Sequence, residues 1–398
     1  MLSLREKCCH VKNITERLIN MEEIIKPIYI VNSLLGLFPY AIKYNKAKKI
    51  YETVNKSMYI NSLCTISVML IIYIFSILFT KNIMQTPEDV EMIEVIMTKI
   101  NCVLELSTLV IFITVAYICA YLHRDKYIKA LNMIISTWYD VTNNSKSQAI
   151  LSDLRLHVNI VTIASLFTVI IAQFAMNFTR NSSIWKIVLV TFTFDMSQAI
   201  QFIVLALHYT MTMMLVAILE NLNEHCLLLT FNNKIIVSDV VEVKPKARLT
   251  LRQMELAYIK AFEIKIFINE IFQGPILISA LQCFHSIVSE AHTIYHGVLV
   301  ENSLSVHDTL HCFIWIVYQI FKIYSFSYAG NLLKLKAFRI GQSLHNIPTD
   351  NQDSRWFMES FFFRIFDKTV VDEDRYNIFL SFLKIVCQLF VYLNLLPC

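Results

Sequence analysis

Apolar residues in this chain gather in long unbroken runs, not at the short period of a soluble amphipathic helix. Seven runs approach or exceed the about 20 mostly apolar residues that a membrane-crossing helix needs. They cover 58–79, 101–122, 156–178, 184–219, 261–295, 309–335 and 376–396. An eighth run, 28–42, is short, contains Gly36 and carries Pro27 and Pro39 at its ends. A run of that kind lies at the interface or packs against a bundle more often than it spans. The pattern therefore predicts an all-α integral membrane seven-helix bundle with a non-spanning N-terminal segment, all in one domain over 1–398. The fourth, fifth and sixth runs are longer than the hydrocarbon core requires, so their helices must tilt or project beyond it. The stretch 247–269 is rich in helix formers and leads straight into the fifth run. Helices four to six are expected to continue into the cytoplasm as a water-exposed bundle.

Basic residues set the orientation. Ten precede the first span, within a predicted cytoplasmic region 1–56, from Arg5 to Lys56. The 2–3 loop carries Arg124, Lys126, Lys129, Lys146 and Arg155; the 4–5 loop Lys234, Lys244, Lys246, Arg248 and Arg252; the 6–7 loop Lys334, Lys336, Arg339, Arg355, Arg364 and Lys368. The alternate loops are nearly bare, with Lys81 in one and Arg180 and Lys186 around another. This asymmetry predicts a cytoplasmic N-terminus and an extracellular C-terminus. The sequons at Asn177 and Asn181 fall in the 3–4 loop, which this topology places outside, where they would be glycosylated. Three others, at Asn13, Asn55 and Asn143, fall on the cytoplasmic side and would go unused.

Composition agrees with a lipid solvent: 56% of residues are hydrophobic and only 17% charged, against about a quarter charged in a soluble domain. The net charge of +4 is small, and nothing in it points to nucleic acid. The ten cysteines show no CxxC pair and no Cys/His cluster at zinc spacing, so no metal or cofactor is expected. Cys8 and Cys9 are either acylated or plain tail cysteines. The first twenty residues contain no signal-peptide core. No GxSxG, HExxH or Walker loop occurs, and the chain is not expected to be an enzyme.

Seven helices in this inverted orientation are not those of a G-protein-coupled receptor. The string Asp374-Arg375-Tyr376 precedes the last span instead of ending the third, and no Asn-Pro-x-x-Tyr occurs in the seventh. The layout instead resembles the insect chemoreceptor superfamily of gustatory and odorant receptors. Three stretches carry the likeness: Ile25 to Pro39, an N-terminal apolar segment ending in Gly and Pro; the long helix Leu251 to Tyr295; and the run Cys387 to Leu395. Gustatory receptors end in Thr-Tyr, five apolar residues, then Gln-Phe. Here Cys387-Gln388 and Asn394-Leu395 stand at the same spacing with altered residues.

That resemblance implies a tastant-gated, non-selective cation channel in the plasma membrane of a chemosensory neuron, assembled as a homo- or heterotetramer around the last helix. The alternatives are an odorant receptor of the same superfamily, a subunit that conducts only with a partner and, from a different class, a secondary transporter. The last helix repeats Lys384, Gln388, Val391 and Leu395 on one face, with Asn394 beside it. Gln388, Val391, Asn394 and Leu395 are the implied pore and gate residues; the plain alternative is ordinary helix packing. A ligand pocket is implied in the extracellular half of helices two to six. Ionisable residues within spans are functional candidates by default, here Glu105, Asp195, His285 and Glu290. Gln173, Phe194, Gln198, Gln282, His311, Trp315, Tyr318 and Gln319 lie at a similar depth. Such a lining suits a small polar or amphiphilic tastant, though each group alone also fits a structural role. Trp315 is the foremost contact, because family members place aromatics at this depth.

Overall fold

The structure is a computed structural model and describes residues 21–37, 41–45, 50–54, 58–84, 92–141, 146–164, 167, 184–235, 249–299 and 306–345. The sequence-predicted last helix, the pore residues Gln388, Val391, Asn394 and Leu395, and also Gln173, Asn177 and Asn181, lie outside these residues.

The chain opens with α1 (Met21–Leu34), a hairpin of β1 (Ala41–Asn45) and β2 (Ile50–Val54), α2 (Met58–Met84) and α3 (Met92–Leu122). Then come α4 (Arg124–Val141), α5 (Ser147–Asn159) with a π turn at Ile160–Ala164, and α6 (Ile184–Val190) with a π turn at Thr191–Asp195. The long helices α7 (Met196–Ile235), α8 (Leu251–Leu299) and α9 (Val306–His345) follow.

Burial sorts these helices into an interior and a shell. α7 is apolar nearly all round, and its most apolar stretch is wholly buried; such a helix belongs at the centre of a bundle. α1, α3, α4, α5, α8 and α9 all pack against it. α2 sits outside and turns Leu63, Ile66, Leu70, Ile74 and Ile77 outward. Among the described residues, four segments are long and apolar enough to cross a membrane: Ser62–Met84, Lys99–Leu122, Ile184–Leu228 and Leu251–Tyr295.

α7, α8 and α9 have 40, 49 and 40 residues. At about 1.5 Å per residue they run about 60 to 74 Å, twice an about 30 Å hydrocarbon core. Their surplus length gathers at the end of the bundle where α4 stops and α5 starts. There Lys126–Glu270, Lys260–Asp140, Lys146–Glu224 and Lys336–Glu220 pair at 2.7–2.8 Å. The same end carries a buried polar lock. Asn221 Nδ2 donates to the Val141 carbonyl at 3.2 Å, and a His225 ring nitrogen lies 2.9 Å from the same oxygen. A carbonyl left open at the end of α4 is thereby satisfied.

Two features depart from the sequence reading. The basic stretch after 122, which reads as a loop, is helical over Arg124–Val141 and Ser147–Asn159, and α4 continues α3 across His123. Its apolar face of Tyr127, Leu131, Ile134, Ile135 and Trp138 is buried, at the spacing of one helix side. The second departure is the β1–β2 hairpin, an antiparallel pair among described residues that are otherwise mostly helical. Ile42, Tyr44, Ile50, Tyr51 and Val54 favour strand, and Asn132 on α4 holds the edge, accepting from Tyr51 N at 2.6 Å and donating to its carbonyl at 3.1 Å.

α1 is 14 residues long, about 21 Å, too short to span. It ends in a Schellman motif: Leu37 N donates to Asn32 O at 2.9 Å and Gly36 N to Ser33 O at 3.1 Å. Gly36 has φ of 69°, and a Cβ there would stand 2.7 Å from Thr65 N and Cα on α2. The Thr65 hydroxyl and the Tyr117 hydroxyl hold the carbonyls of Gly36 and Leu35. Replacing Gly36 with Ala forces a left-handed Cβ, costing about 1–2 kcal/mol, and adds a backbone clash. The Gly36→Ala protein is expected to unfold at a lower temperature than wild type in detergent, whereas Gly330→Ala, where no atom lies within 4 Å, is expected to hold its midpoint.

Candidate functional site

At the opposite end of the bundle, four helices direct polar side chains at one another. α3 contributes Glu105, α7 Gln198 and Gln201, α8 Ser279, Gln282 and Ser286, and α9 Trp315, Tyr318, Gln319 and Lys322. Each helix is apolar around these positions, so the polar groups meet inside the bundle where little water competes.

Lys322 organises one half. Its side chain is fully buried; its ammonium donates to Gln198 Oε1 and, at 2.8 Å, to Gln201 Oε1, and it lies 4.5 Å from the centre of the Tyr318 ring. An ammonium can only donate, so both amides are fixed with oxygen toward Lys322. Gln201 Nε2 then donates to Ser279 Oγ at 2.8 Å and to Gln282 Oε1 at 3.1 Å. Gln282 is therefore fixed as well, with its NH2 turned away.

Ser286 organises the other half. It donates to Glu105 Oε1 at 3.0 Å and accepts from Trp315 Nε1 at 2.8 Å and from Gln319 Nε2 at 3.3 Å. Trp315 also approaches Glu105 Oε1 at 3.4 Å. The Trp315 and Tyr318 rings lie 5.6 Å apart, tilted.

The cluster is rich in unused hydrogen-bonding capacity. Among the described residues, Gln198 Nε2, Gln282 Nε2, Tyr318 Oη and Gln319 Oε1 are buried with no partner. Such groups are costly inside a protein, and the orientations imposed by Lys322 leave both glutamine donors open. The open donors of Gln198 and Gln282 can bind only oxygen or other acceptor atoms.

A family model described as "7tm Chemosensory receptor" matches residues 25–366, most of the chain. The chain belongs to this family of insect chemoreceptors. No curated protein matches it. The family match ends before the run 376–396, so the altered terminal motif lies outside it. A chemosensory receptor family is not a family of enzymes, and the apolar helices suit a membrane protein that takes small-molecule ligands.

Of the pocket candidates in this chemoreceptor, the structure brings together Glu105, Gln198, Gln282, Trp315, Tyr318 and Gln319. His285, half-buried on α8, stands within electrostatic reach of the Glu105 carboxylate. Phe194 does not join them: its ring meets Phe79 on α2 edge-on at 5.1 Å, as Phe192 stacks on Phe75 at 4.7 Å. Asp195 closes the π turn and is half-buried. Glu290 and His311 meet each other and Cys312, one turn from the cluster.

Lys322, Gln201, Ser279 and Ser286 were not among the candidates. Lys322 carried a legible signal, a lone lysine deep within the 309–335 run. The two serines carried none, since small hydroxyls are common in buried helices. A separate apolar cleft lies nearer the ion-paired end, lined by Leu37, Cys119, Tyr127, Phe272 and Pro275, and contains none of the candidates.

Replacing Lys322 with Met strands two buried carbonyl oxygens, each costing about 1–3 kcal/mol. A double-mutant cycle of Lys322→Met with Gln201→Leu, read by thermal unfolding, is expected to show a coupling of about 0.5–3 kcal/mol.

Proposed function

We propose that this chain is a subunit of a gustatory receptor, a tastant-gated, non-selective cation channel in the plasma membrane of a chemosensory neuron. The observation that carries the reading is the buried cluster itself. Side chains from α3, α7, α8 and α9 converge there with unpaired donors, in a member of the chemosensory receptor family. A small polar or amphiphilic tastant offering oxygen acceptors to Gln198 and Gln282, with an apolar face against Trp315 and Tyr318, fits that chemistry. Glu105 and Ser286 orient the Trp315 ring.

In this reading the N-terminus is cytoplasmic and the C-terminus extracellular, as the basic residues imply, and the chain crosses the membrane seven times. The polar cluster then lies in the outer half, and the ion-paired end projects into the cytoplasm. The last helix, 376–396, lines a central pore in a homo- or heterotetramer. Gln388 and Val391 face the pore, a ring of Leu395 closes it by dewetting, and Asn394 supplies polar groups beside the gate. Asn177 and Asn181 carry glycans outside. An odorant receptor matches the family equally well; the spacing of Cys387-Gln388 and Asn394-Leu395 favours the gustatory branch. The substituted residues within that run favour a subunit that conducts fully only beside a partner.

Whole-cell recording from cells expressing the chain, alone and with a candidate partner subunit, tests this against a panel of sugars and bitter compounds. Trp315→Ala is expected to raise the half-maximal tastant concentration about tenfold or more, the equivalent of about 1.4 kcal/mol. Leu395→Ala is expected to raise resting current with little change in that concentration. Silence toward every tastant with tetramers confirmed at the surface would remove the reading. Steady substrate flux without channel conductance would replace it with a transporter.

A further inference from the structure

Glu290 follows Ser286 by one helical turn on α8, and His311 precedes Trp315 by one turn on α9. Residues four apart share a helix face. The α8–α9 contact that joins Ser286 to Trp315 therefore continues into the next turn, where Glu290, His311 and Cys312 come together. A carboxylate oxygen, an imidazole nitrogen and the Cys312 sulfur all lie within 4.8 Å of one another. Cys312 is buried, while Glu290 and His311 are half-buried, so an ion in water has access to two of the three.

We propose that Glu290, His311 and Cys312 form a site for a late first-row divalent cation, Zn2+ foremost, bridging α8 and α9 one turn beyond the polar cluster. The donor set selects the ion. Mg2+ and Ca2+ are held by oxygen ligands, and a thiol beside an imidazole is a poor cage for either. Sulfur, nitrogen and one carboxylate oxygen suit Zn2+. Bond lengths of about 2.0–2.3 Å place ligand atoms about 3.3–3.8 Å apart in a tetrahedral site. The three atoms reach that spacing by closing about 1 Å, within the range of side-chain rotation.

On binding, the Cys312 thiol loses its proton to water as the metal–sulfur bond forms. His311 binds through an unprotonated ring nitrogen and Glu290 as carboxylate. The fourth position is left to water. Because a proton is displaced, affinity falls as pH is lowered. No amino-acid spacing announces such a site, since its ligands come from two helices separated by a connection; only the α8–α9 pairing assembles it. It is independent of the tastant reading, because metal binding is measured without any channel current.

Co2+ is the probe for the test. The full-length protein, stripped with chelator and held in lipid nanodiscs, is titrated with Co2+ and then with Zn2+. The wild type is expected to develop visible ligand-field bands and a near-ultraviolet sulfur-to-cobalt band, both erased by Zn2+. Cys312→Ser is expected to lose the sulfur band. His311→Gln and Glu290→Gln, which keep the thiol, are expected to weaken Co2+ binding at least as much as the about tenfold lost with an outer-shell partner. Cys8, Cys9 and His10 are a competing source of ligands, so a Cys8→Ser/Cys9→Ser protein is measured alongside and is expected to keep the bands. A sulfur band that survives in Cys312→Ser, or that vanishes only with the tail cysteines, overturns the proposal, as does a wild type with no bands. Unchanged size-exclusion profiles and metal-free melting midpoints separate lost ligation from lost folding. Should Cys312→Ser fail that control, the His311→Gln and Glu290→Gln titrations decide the matter.

Discussion

An ammonium enclosed by apolar helices must carry its own solvation with it. Lys322 does so with the amide oxygens of Gln198 and Gln201 and the face of Tyr318, and no ion pair with it occurs among the described residues. Desolvating such a group costs several kcal/mol, which makes the two amides structural requirements. Because Lys322 takes their oxygens, their NH2 groups are forced elsewhere: one into Ser279 and Gln282 on α8, the other into unoccupied polar capacity. A single cation on α9 thus fixes the polarity of side chains on α7 and, through them, on α8. The acidic side chain of the cluster, Glu105, sits at the other extremity under Ser286 and Trp315.

The two ends of the bundle are held by different means. Beyond the apolar zone, the four lysine–carboxylate pairs are mostly exposed, and exposed pairs contribute about 0–1 kcal/mol each. Cohesion there comes instead from buried apolar residues such as Trp138, Ile134 and Leu222 and from the Asn221–His225 lock on Val141. Around the polar cluster the reverse holds: with little water present, each unmade hydrogen bond is expensive, and directionality decides packing. The ion-paired end and the under-satisfied polar end are joined by the same three continuous helices, α7, α8 and α9.

The long apolar runs made the major helices legible from sequence. Runs 58–79, 101–122, 184–219, 261–295 and 309–335 all fall on helices, most of which continue beyond the run. The short run at 28–42 begins on a helix ended by Gly36, whose Schellman geometry follows from glycine's access to positive φ, and its last two residues open β1. What misled was charge: the lysines and arginines of 124–155 suggested a loop, because exposed basic residues on an amphipathic helix and on a loop look alike until their apolar partners are seen to repeat. At the site, rarity was informative. Glu105 and Trp315 stood out among aliphatic neighbours, whereas Ser279, Ser286 and Gln201 became visible only once neighbouring helices were in register. Phe194 packs apart from the cluster, against Phe79, for a reason of the same kind. The π turn at Thr191–Asp195 adds a residue to the helix and turns Phe192 and Phe194 toward α2, a rotation no periodicity count contains.

The contrast between α2 and α7 bears on how this protein can change over generations. A side chain on the outer face of α2 packs against no other described helix, and in a bilayer it would meet hydrocarbon chains, which accept almost any aliphatic shape, so substitutions there are expected to be close to neutral. α7 has no such tolerant side: a new methyl group anywhere along its buried length must be absorbed by another helix. Diversification among descendants of this receptor is therefore channelled to the periphery, and any altered residue on α7 is expected to arrive together with a compensating change across from it.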